Sequence, residues 1–349
     1  MKKIVCCLVA TVMLVSLFLG CGAPSPAPSP APAPAPSPAP SPIPAPTPVE
    51  PIVLKTVAFN VESHASVAGF VIFKDMINER AKGELVVEYI GAREAIPMFE
   101  QPEAVARGAV DACFNVGGVT KSFIPGINSM VLSEMTAWEE REVGYHDLMV
   151  EIHKKENLYY LGRQLMHLSF YMFSDTPFAT PYDMSGQRFR SGGLYDPLYK
   201  KLGIVSVTIP LAEQYTALER GLVDGAASTA GSIDAFKLYE VCKYILSPPF
   251  YGAQNGYMMI NLDKWNSIPK HLQDLMIEVQ KEAEPLILEH YKKSDGEYYQ
   301  KALDNGMVQV EWSPADTQWF LDTAYSVAWE EVMSDDPVDG AKMRDMLAK

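Results

Sequence analysis

The chain has 349 residues, of which 48% are hydrophobic and 21% charged, and its formal net charge is −14. An acidic balance with no basic stripe excludes nucleic acid as a partner. Of five cysteines, Cys6, Cys7 and Cys21 fall near the start, leaving Cys113 and Cys242 in apolar runs of the body, which excludes a disulfide framework. Those two are expected to be buried free thiols, with one disulfide as the alternative.

In chain order, Lys2 and Lys3 precede an uncharged apolar run over 4–19, the pattern of a secretory signal and short for a membrane span. It ends in "LFLGC", similar to a bacterial lipobox with Phe18 where Leu is usual, so Cys21 is the expected site of lipid attachment. Residues 1–20 are read as signal peptide and 21–52 as lipidated cysteine and linker. Proline at nearly every second position there forbids helix and strand pairing and predicts polyproline II. At about 3.1 Å per residue, roughly thirty residues make a semi-rigid stalk of about 80–90 Å.

From 53 to 349 strands and helices alternate. Strand patterns cover 53–60, 84–91 and 110–116. Helices are predicted over 64–82, where Val67, Phe70, Phe73 and Ile77 recur at helical steps, and over 102–107. "TAWE" at 136–139 is a capping box opening a helix towards Lys155. The apolar stretch 159–173 is read as a long strand crossing between two lobes. The alternation restarts after 187, and 251–261 carries the chain back. One helix is predicted from Ser267 to about Asn305, bent at Pro285, and "SPAD" at 313–316 opens another. This is an α/β pattern with mixed, mostly parallel sheets. "AVARGAVDA" at 104–112 returns as "ALERGLVDG" at 217–225, which suggests two similar lobes. In each phrase glycine ends a helix and Asp111 or Asp224 stabilises the turn into a strand.

Motifs of catalysis are missing: no nucleotide loop, no GxSxG elbow and no HExxH. Ser267 in "SIPK" is read as a helix N-cap, and His146 and His153, seven apart, as a solvated helical face rather than a metal site. No catalytic residue, metal or cofactor is expected, and the chain reads as a binder. In "DMSGQRFRSGG" (183–193), Arg190 stands at a strand end before Ser191, Gly192 and Gly193. Strand ends are where open α/β sheets take ligands, and a guanidinium holds a carboxylate through two parallel hydrogen bonds. Chemistry alone leaves Arg190 as either that cation or a turn residue. Arg188 alternates to the other face and is read as structural.

Three blocks, "SDTPFATPYDMSGQRFR", "VTIPLAEQYTALERGLVDGAAS" and "MMINLDKWNSIPKHLQ", together resemble the DctP-type solute-binding proteins of TRAP transporters, over nearly all of 53–335. The resemblance implies a two-lobed periplasmic-binding-protein-like fold with a long lobe-spanning helix. Lobe I would hold about 53–166 and the return from about 255, and lobe II about 168–250, with C-terminal helices packing across. It also implies an extracytoplasmic receptor, here lipid-anchored, that delivers an organic carboxylate to TRAP membrane subunits. A sensory lipoprotein of the same fold is the alternative, and an enzyme the remoter one. Arg190 falls on the family's carboxylate-binding arginine. Ser228 falls where many members have a ligand-contacting Asn, and Asn60 with the adjacent Glu62 or His64 lies where members often contact ligand. Tyr215, on the family's conserved helix, and Asn115, at the end of its strand, are the further candidates. Sugar-acid binders carry a second arginine where this chain has Phe170. With Phe170 and Tyr171 nearby, an apolar or aromatic monocarboxylate is expected. Arg163 is the rival second cation, and its entry into the cleft would restore a dicarboxylate.

Overall fold

Helix and strand alternate in the computed structural model, which describes residues 50–252 and 255–347. The expected signal, Cys21 and most of the Pro-rich linker lie outside the described residues. The first half contains β1 (Ile52–Ala58), α1 (Ala68–Arg80), β2 (Leu85–Gly91), α2 (Gln101–Ala106), β3 (Ala112–Val116) and the single-turn α3 (Gly117–Thr120). It continues with α4 (Ala137–Glu142), α5 (Tyr145–Lys155) and β4 (Leu158–Leu165). Next come β5 (Phe170–Ser174), β6 (Arg188–Ser191), α6 (Asp196–Leu202), β7 (Val205–Thr208), α7 (Gln214–Glu219), β8 (Gly225–Thr229), α8 (Ala230–Ala235) and β9 (Tyr244–Ile245). The chain returns as β10 (Gly256–Asn261), α9 (Leu262–Ser267), α10 (Lys270–Asp304), β11 (Val308–Gln309), α11 (Pro314–Asp335) and α12 (Gly340–Leu347).

The strands form two mixed sheets, ordered β2-β1-β3-β10-β4 and β11-β9-β5-β8-β6-β7. In the first, β1 runs parallel to β2 and β3, and β10 enters antiparallel between β3 and β4. In the second, β6 runs parallel to β7 and β8, and β5 enters antiparallel between β8 and β9. Each lobe therefore receives a strand from the segment that has just crossed from the other. The two crossings stand side by side around 166–170 and at Phe250: Phe170 and Phe250 exchange backbone hydrogen bonds of 2.9 and 3.1 Å.

Long helices join the lobes. α10 packs on α1 and β4 of the first lobe and on α8 of the second, and α11 packs on α6 and on the 3-10 segment Ile127–Leu132. Pro285 lies inside α10 without interrupting it. The stripe of Val67, at the N-cap of α1, and Phe70, Phe73 and Ile77 within it is fully buried, each side chain contributing about 1.5–3 kcal/mol of burial.

The repeated phrase is one turn built twice. Gly108 and Gly221 take φ of 73° and 64° after α2 and α7. Asp111 Oδ2 accepts the backbone N–H of Lys55 at 2.8 Å, and the Asp111 N–H donates to Lys55 O at 3.0 Å. Asp224 Oδ2 accepts the N–H of Arg188 at 2.8 Å, and its own N–H donates to Arg188 O at 2.7 Å. Each aspartate thus seals the entry of one parallel strand against its neighbour. The Arg188 guanidinium also bonds Asp224 and holds that carboxyl below its usual range. Cys113 and Cys242 are free and buried.

Four sequence expectations are corrected. Residues 136–155 are two helices, because Gly144 at φ 83° breaks the run. Residues 159–173 are two strands in different sheets, divided where His167 adopts φ 53°. Ser267 ends α9 with its hydroxyl on Lys264 O at 2.7 Å, and α10 starts after Pro269. His153 is buried rather than solvated, its ring packed on Tyr160 and Tyr257. Its Nδ1 lies 2.7 Å from Met149 O, and burial lowers its pKa to about 4.

Candidate functional site

The carboxyl ends of the parallel strands in both sheets meet at one cavity of ≈ 220 Å3. From the first lobe come Phe59, which follows β1, and Val116, Gly118 and Val119, where β3 runs into α3. The second lobe supplies Arg190 of β6 and Gly192 just after it, Thr208 of β7 and Ile209 just after it, and Ser228 and Thr229 of β8. Leu165, Leu168, Phe170 and Asn255 of the crossing segments form its floor. The lobes touch closely here: a side chain at Gly118 would stand 3.9 Å from Gly192 O. The volume is below the about 300–1,000 Å3 of drug-sized sites, so it suits a small solute.

Arg190 dominates the electrostatics of this cavity. Its strand is bonded on both sides, to β7 through Val207 and to β8 through Ala226, which fixes its backbone. Its Nε donates to Ile209 O at 2.8 Å and aims the rest of the guanidinium. The residue is 6% exposed and makes no ion pair among the described residues. Burial lowers its pKa, opposed by Tyr195 and Tyr199, yet guanidinium remains a cation at any ordinary pH. Gly192 leaves room for it, since a Cβ there would lie 3.3 Å from Nη2. A buried cation without a protein anion costs free energy, and a carboxylate accepting its two Nη groups offsets that cost.

Of the residues singled out from sequence, the structure brings Arg190, Phe170 and Ser228 to the cavity. The Phe170 ring meets Tyr195 edge to face at 5.2 Å, making an aromatic wall. The other four stand elsewhere. Asn60 accepts the Val61 N–H at 3.0 Å within its own turn. Asn115 is buried and tied up, donating to Gln101 Oε1 at 3.0 Å and Met98 O at 3.1 Å. The Tyr215 hydroxyl donates to Glu240 at 3.1 Å. Arg163 donates to Glu140 Oε1 at 2.9 Å and lines a separate hollow with Thr136, Met166 and His167. Beside that pair, Arg141 bonds both oxygens of Glu284.

Sequence reasoning missed Met98 and Phe99, which the irregular segment "GAREAIPMFEQ" brings to the rim, and the aromatic partner Tyr195. His64, which the family resemblance places beside Asn60 among positions that contact ligand, lines the same cavity. His64 caps the 3-10 turn Ala65–Val67: its Nδ1 accepts the Ser66 N–H at 3.2 Å and lies 2.7 Å from Ser66 Oγ. Burial, with Arg93 second, lowers its pKa. No group of three or more His, Cys, Asp or Glu able to hold a metal forms among the described residues. No helix among them is long and apolar enough to cross a membrane.

The chain matches the profile of DctP, the bacterial extracellular solute-binding protein family 7, over residues 58–336. A solute-binding protein of Albidiferax ferrireducens is 23% identical over 276 residues, covering 74% of this chain and 79% of that one. The fold matches a TRAP periplasmic solute-binding protein from Desulfovibrio salexigens with bound orotic acid. The TM-score is 0.76 at 18% identity, with 84% of this chain and 97% of that one covered. A TRAP periplasmic solute-binding protein from Shewanella oneidensis with bound succinate gives 0.72 at 19% identity, over 86% and 100% of the two chains. With a family profile spanning both lobes and the cavity between them, the chain belongs to the bacterial extracellular solute-binding proteins of family 7.

Proposed function

We propose that this cavity captures a small organic monocarboxylate of apolar or aromatic character, for delivery to a TRAP-type membrane transporter. The observation that carries this reading is Arg190, a buried guanidinium without an acidic partner among the described residues, set in a wall of Phe59, Phe170, Tyr195 and Ile209. The Desulfovibrio and Shewanella proteins, with orotic acid and succinate, support a carboxylate as the solute class. A second carboxylate would need a second cation, and Arg163 is engaged with Glu140 away from the cavity. Lobe closure about the crossings near 166–169 and 250–255 would seal the acid from water and strengthen its bonds to Arg190. A lipid on Cys21 and the Pro-rich stalk would keep the receptor extracytoplasmic, in the periplasm or at the outer face of the cell membrane.

Thermal unfolding of the full chain, first stripped of endogenous ligand by unfolding and refolding, tests the reading. Aliphatic, aromatic, oxo, dicarboxylic and sugar acids form the panel. An acid at a hundred times its dissociation constant adds about 2.7 kcal/mol. Stabilisation by an apolar or aromatic monocarboxylate is the expected result. A response confined to dicarboxylates or sugar acids rejects the specificity, and no response to any acid rejects the carboxylate.

A further inference from the structure

The solute cavity has an open end and a closed one, and the strand order says which is which. β2 and β7 are the edge strands farthest from the crossings, and the segments that follow them bring Phe99, Pro210 and Leu211 to the cavity. Phe99 there is 62% exposed. At the other end, beside the first crossing, stand Leu165 and Leu168, both buried. Arg190, one strand in from β7, is tethered towards the open end by its bond to Ile209 O. Leu168 is a partition. It lines the cavity and also a hollow of ≈ 10 Å3, about the size of one water, whose other walls include Tyr291, Ser294 and Tyr298 of α10. The hydroxyls that border both spaces are already engaged: Thr229 Oγ1 and Ser232 Oγ lie 3.1 Å apart, and Ser66 Oγ lies 2.7 Å from His64 Nδ1. The closed end therefore presents mainly apolar surface to a solute.

We propose that Leu168 is the end stop of the cavity: the solute lies with its carboxylate at Arg190 and its apolar end against Leu168, so the natural ligand is an acid of limited chain length ending in a methyl or aryl group. This inference rests on the carboxylate reading above and adds to it the direction and length of the solute. Apolar carbon gains most where it leaves water completely, which is the closed end between Leu165, Leu168 and Phe170 rather than the exposed rim. A hydroxyl or second carboxylate at that end would be buried against leucine, with the nearby hydroxyls already paired. A close-packed wall yields little, so a chain too long for the space must displace Leu168. Leu168 belongs to the crossing about which the lobes close, and such a chain would hold the lobes apart.

The test is calorimetric titration of the full chain with the straight-chain acids from propanoate to decanoate. Affinity should rise about fourfold per methylene, the worth of burying one CH2, and then fall once the chain reaches Leu168. Leu168→Ala joins the cavity to the hollow behind it and should move the optimum about two carbons longer. Leu168→Phe should move it about one carbon shorter, and either variant reads the effect if the other does not fold. Affinity that still rises at decanoate in the native chain, or an optimum that the Leu168 variants leave in place, would overturn the proposal. So would an optimum moved by Phe99→Ala, which would put the tail at the open end. In each of these cases the acids still bind, and the carboxylate reading stands. If no straight-chain acid binds but another acid of the panel above does, the end stop alone falls. Binding of no acid at all, or binding unaffected by Arg190→Met, would overturn the carboxylate reading and this one with it.

Discussion

The two lobes share one plan and use their polar groups differently. In each, three parallel strands are joined by an antiparallel strand from the crossing segment, and the same Arg-Gly-x-Val-Asp turn leads into the third parallel strand. In the first lobe the glutamine ahead of that turn, Gln101, donates to Ala58 O and Ile96 O and accepts from Asn115. In the second lobe the matching Gln214 is also fully buried, yet neither amide atom has a partner among the described residues. The residue matching Asn115 is Ser228, too short to reach it and turned to the cavity. The buried arginines divide the same way, Arg163 held by Glu140 and Arg190 facing the cavity wall. The first lobe spends its polar side chains on its own stability, and the second leaves them to the solute.

The arginine pair gives the largest test of that division. Arg163→Met strands Glu140, whose carboxyl burial already pushes up, and should cost about 3–5 kcal/mol of stability. Arg190→Met strands no protein anion, so unfolding of the ligand-free chain should be unchanged or shifted upward. Its cost should appear in carboxylate affinity, about 2–4 kcal/mol by calorimetry. If Arg190→Met unfolds as early as Arg163→Met, the cation is structural and the contrast between the lobes collapses.

The glutamines offer a second pair with opposite signs. Gln101→Leu takes one of its two acceptors from the buried Asn115 amide and removes the donor to Ala58 O and Ile96 O, and should lower stability by about 1–3 kcal/mol in chemical denaturation. Gln214→Leu removes two unpaired polar atoms of similar volume and should be neutral or stabilising by about 1 kcal/mol. Equal losses in both variants would mean that Gln214 is satisfied in solution, and this asymmetry would not stand.

These contrasts mark where sequence reading stops. Periodicity of 3.6 located the α1 face, and the repeated phrase located both sealing aspartates, because each is set by residues close in the chain. The strand end carrying Arg190 was legible for the same reason. The partner of Arg163 was not, since Glu140 approaches only after β4 and α4 pack together. Nor was the break at His167, where a residue other than glycine takes a left-handed backbone between strands of different sheets. Met98 and Phe99 reach the cavity from an irregular segment without any period to read.

Acid and base titration should separate the lobes next. On α10, Asp295 is 8% exposed and burial raises its carboxyl to about 6, against a backbone N–H from Ser169 in the crossing. A folded pKa above the unfolded value near 3.9 favours the protonated native state, so this stability is full below about pH 4 and is lost as pH rises through 6. His153 in the first lobe has the reverse sign. Its folded pKa of about 4 lies below the unfolded value near 6.5, so its contribution is present above 6.5 and lost as pH falls through 4. Relative to the native chain, Asp295→Asn should gain about 1–2 kcal/mol at pH 8 and little at pH 4. His153→Phe should gain at pH 4 relative to pH 8. Parallel pH curves for both variants and the parent would show that neither group titrates in the fold.

The smallest effect concerns two glycines that face each other across the cleft. A methyl group at Gly118, on the first lobe, would meet Gly192 O and Leu194 Cβ at 3.9 Å, an ordinary contact. At Gly192 it would lie 3.3 Å from Arg190 Nη2, which must then give way while Nε stays bound to Ile209 O. Rotation of the guanidinium by even a few tenths of an ångström spoils a two-bond clasp on a planar carboxylate, because both bonds depend on one plane. Gly192→Ala should therefore weaken carboxylate binding by about 1 kcal/mol, the worth of one bond of the two, with unfolding unchanged. Gly118→Ala should bind nearly as the native chain does. The reverse ranking would mean that closure of the lobes, rather than the aim of Arg190, limits affinity.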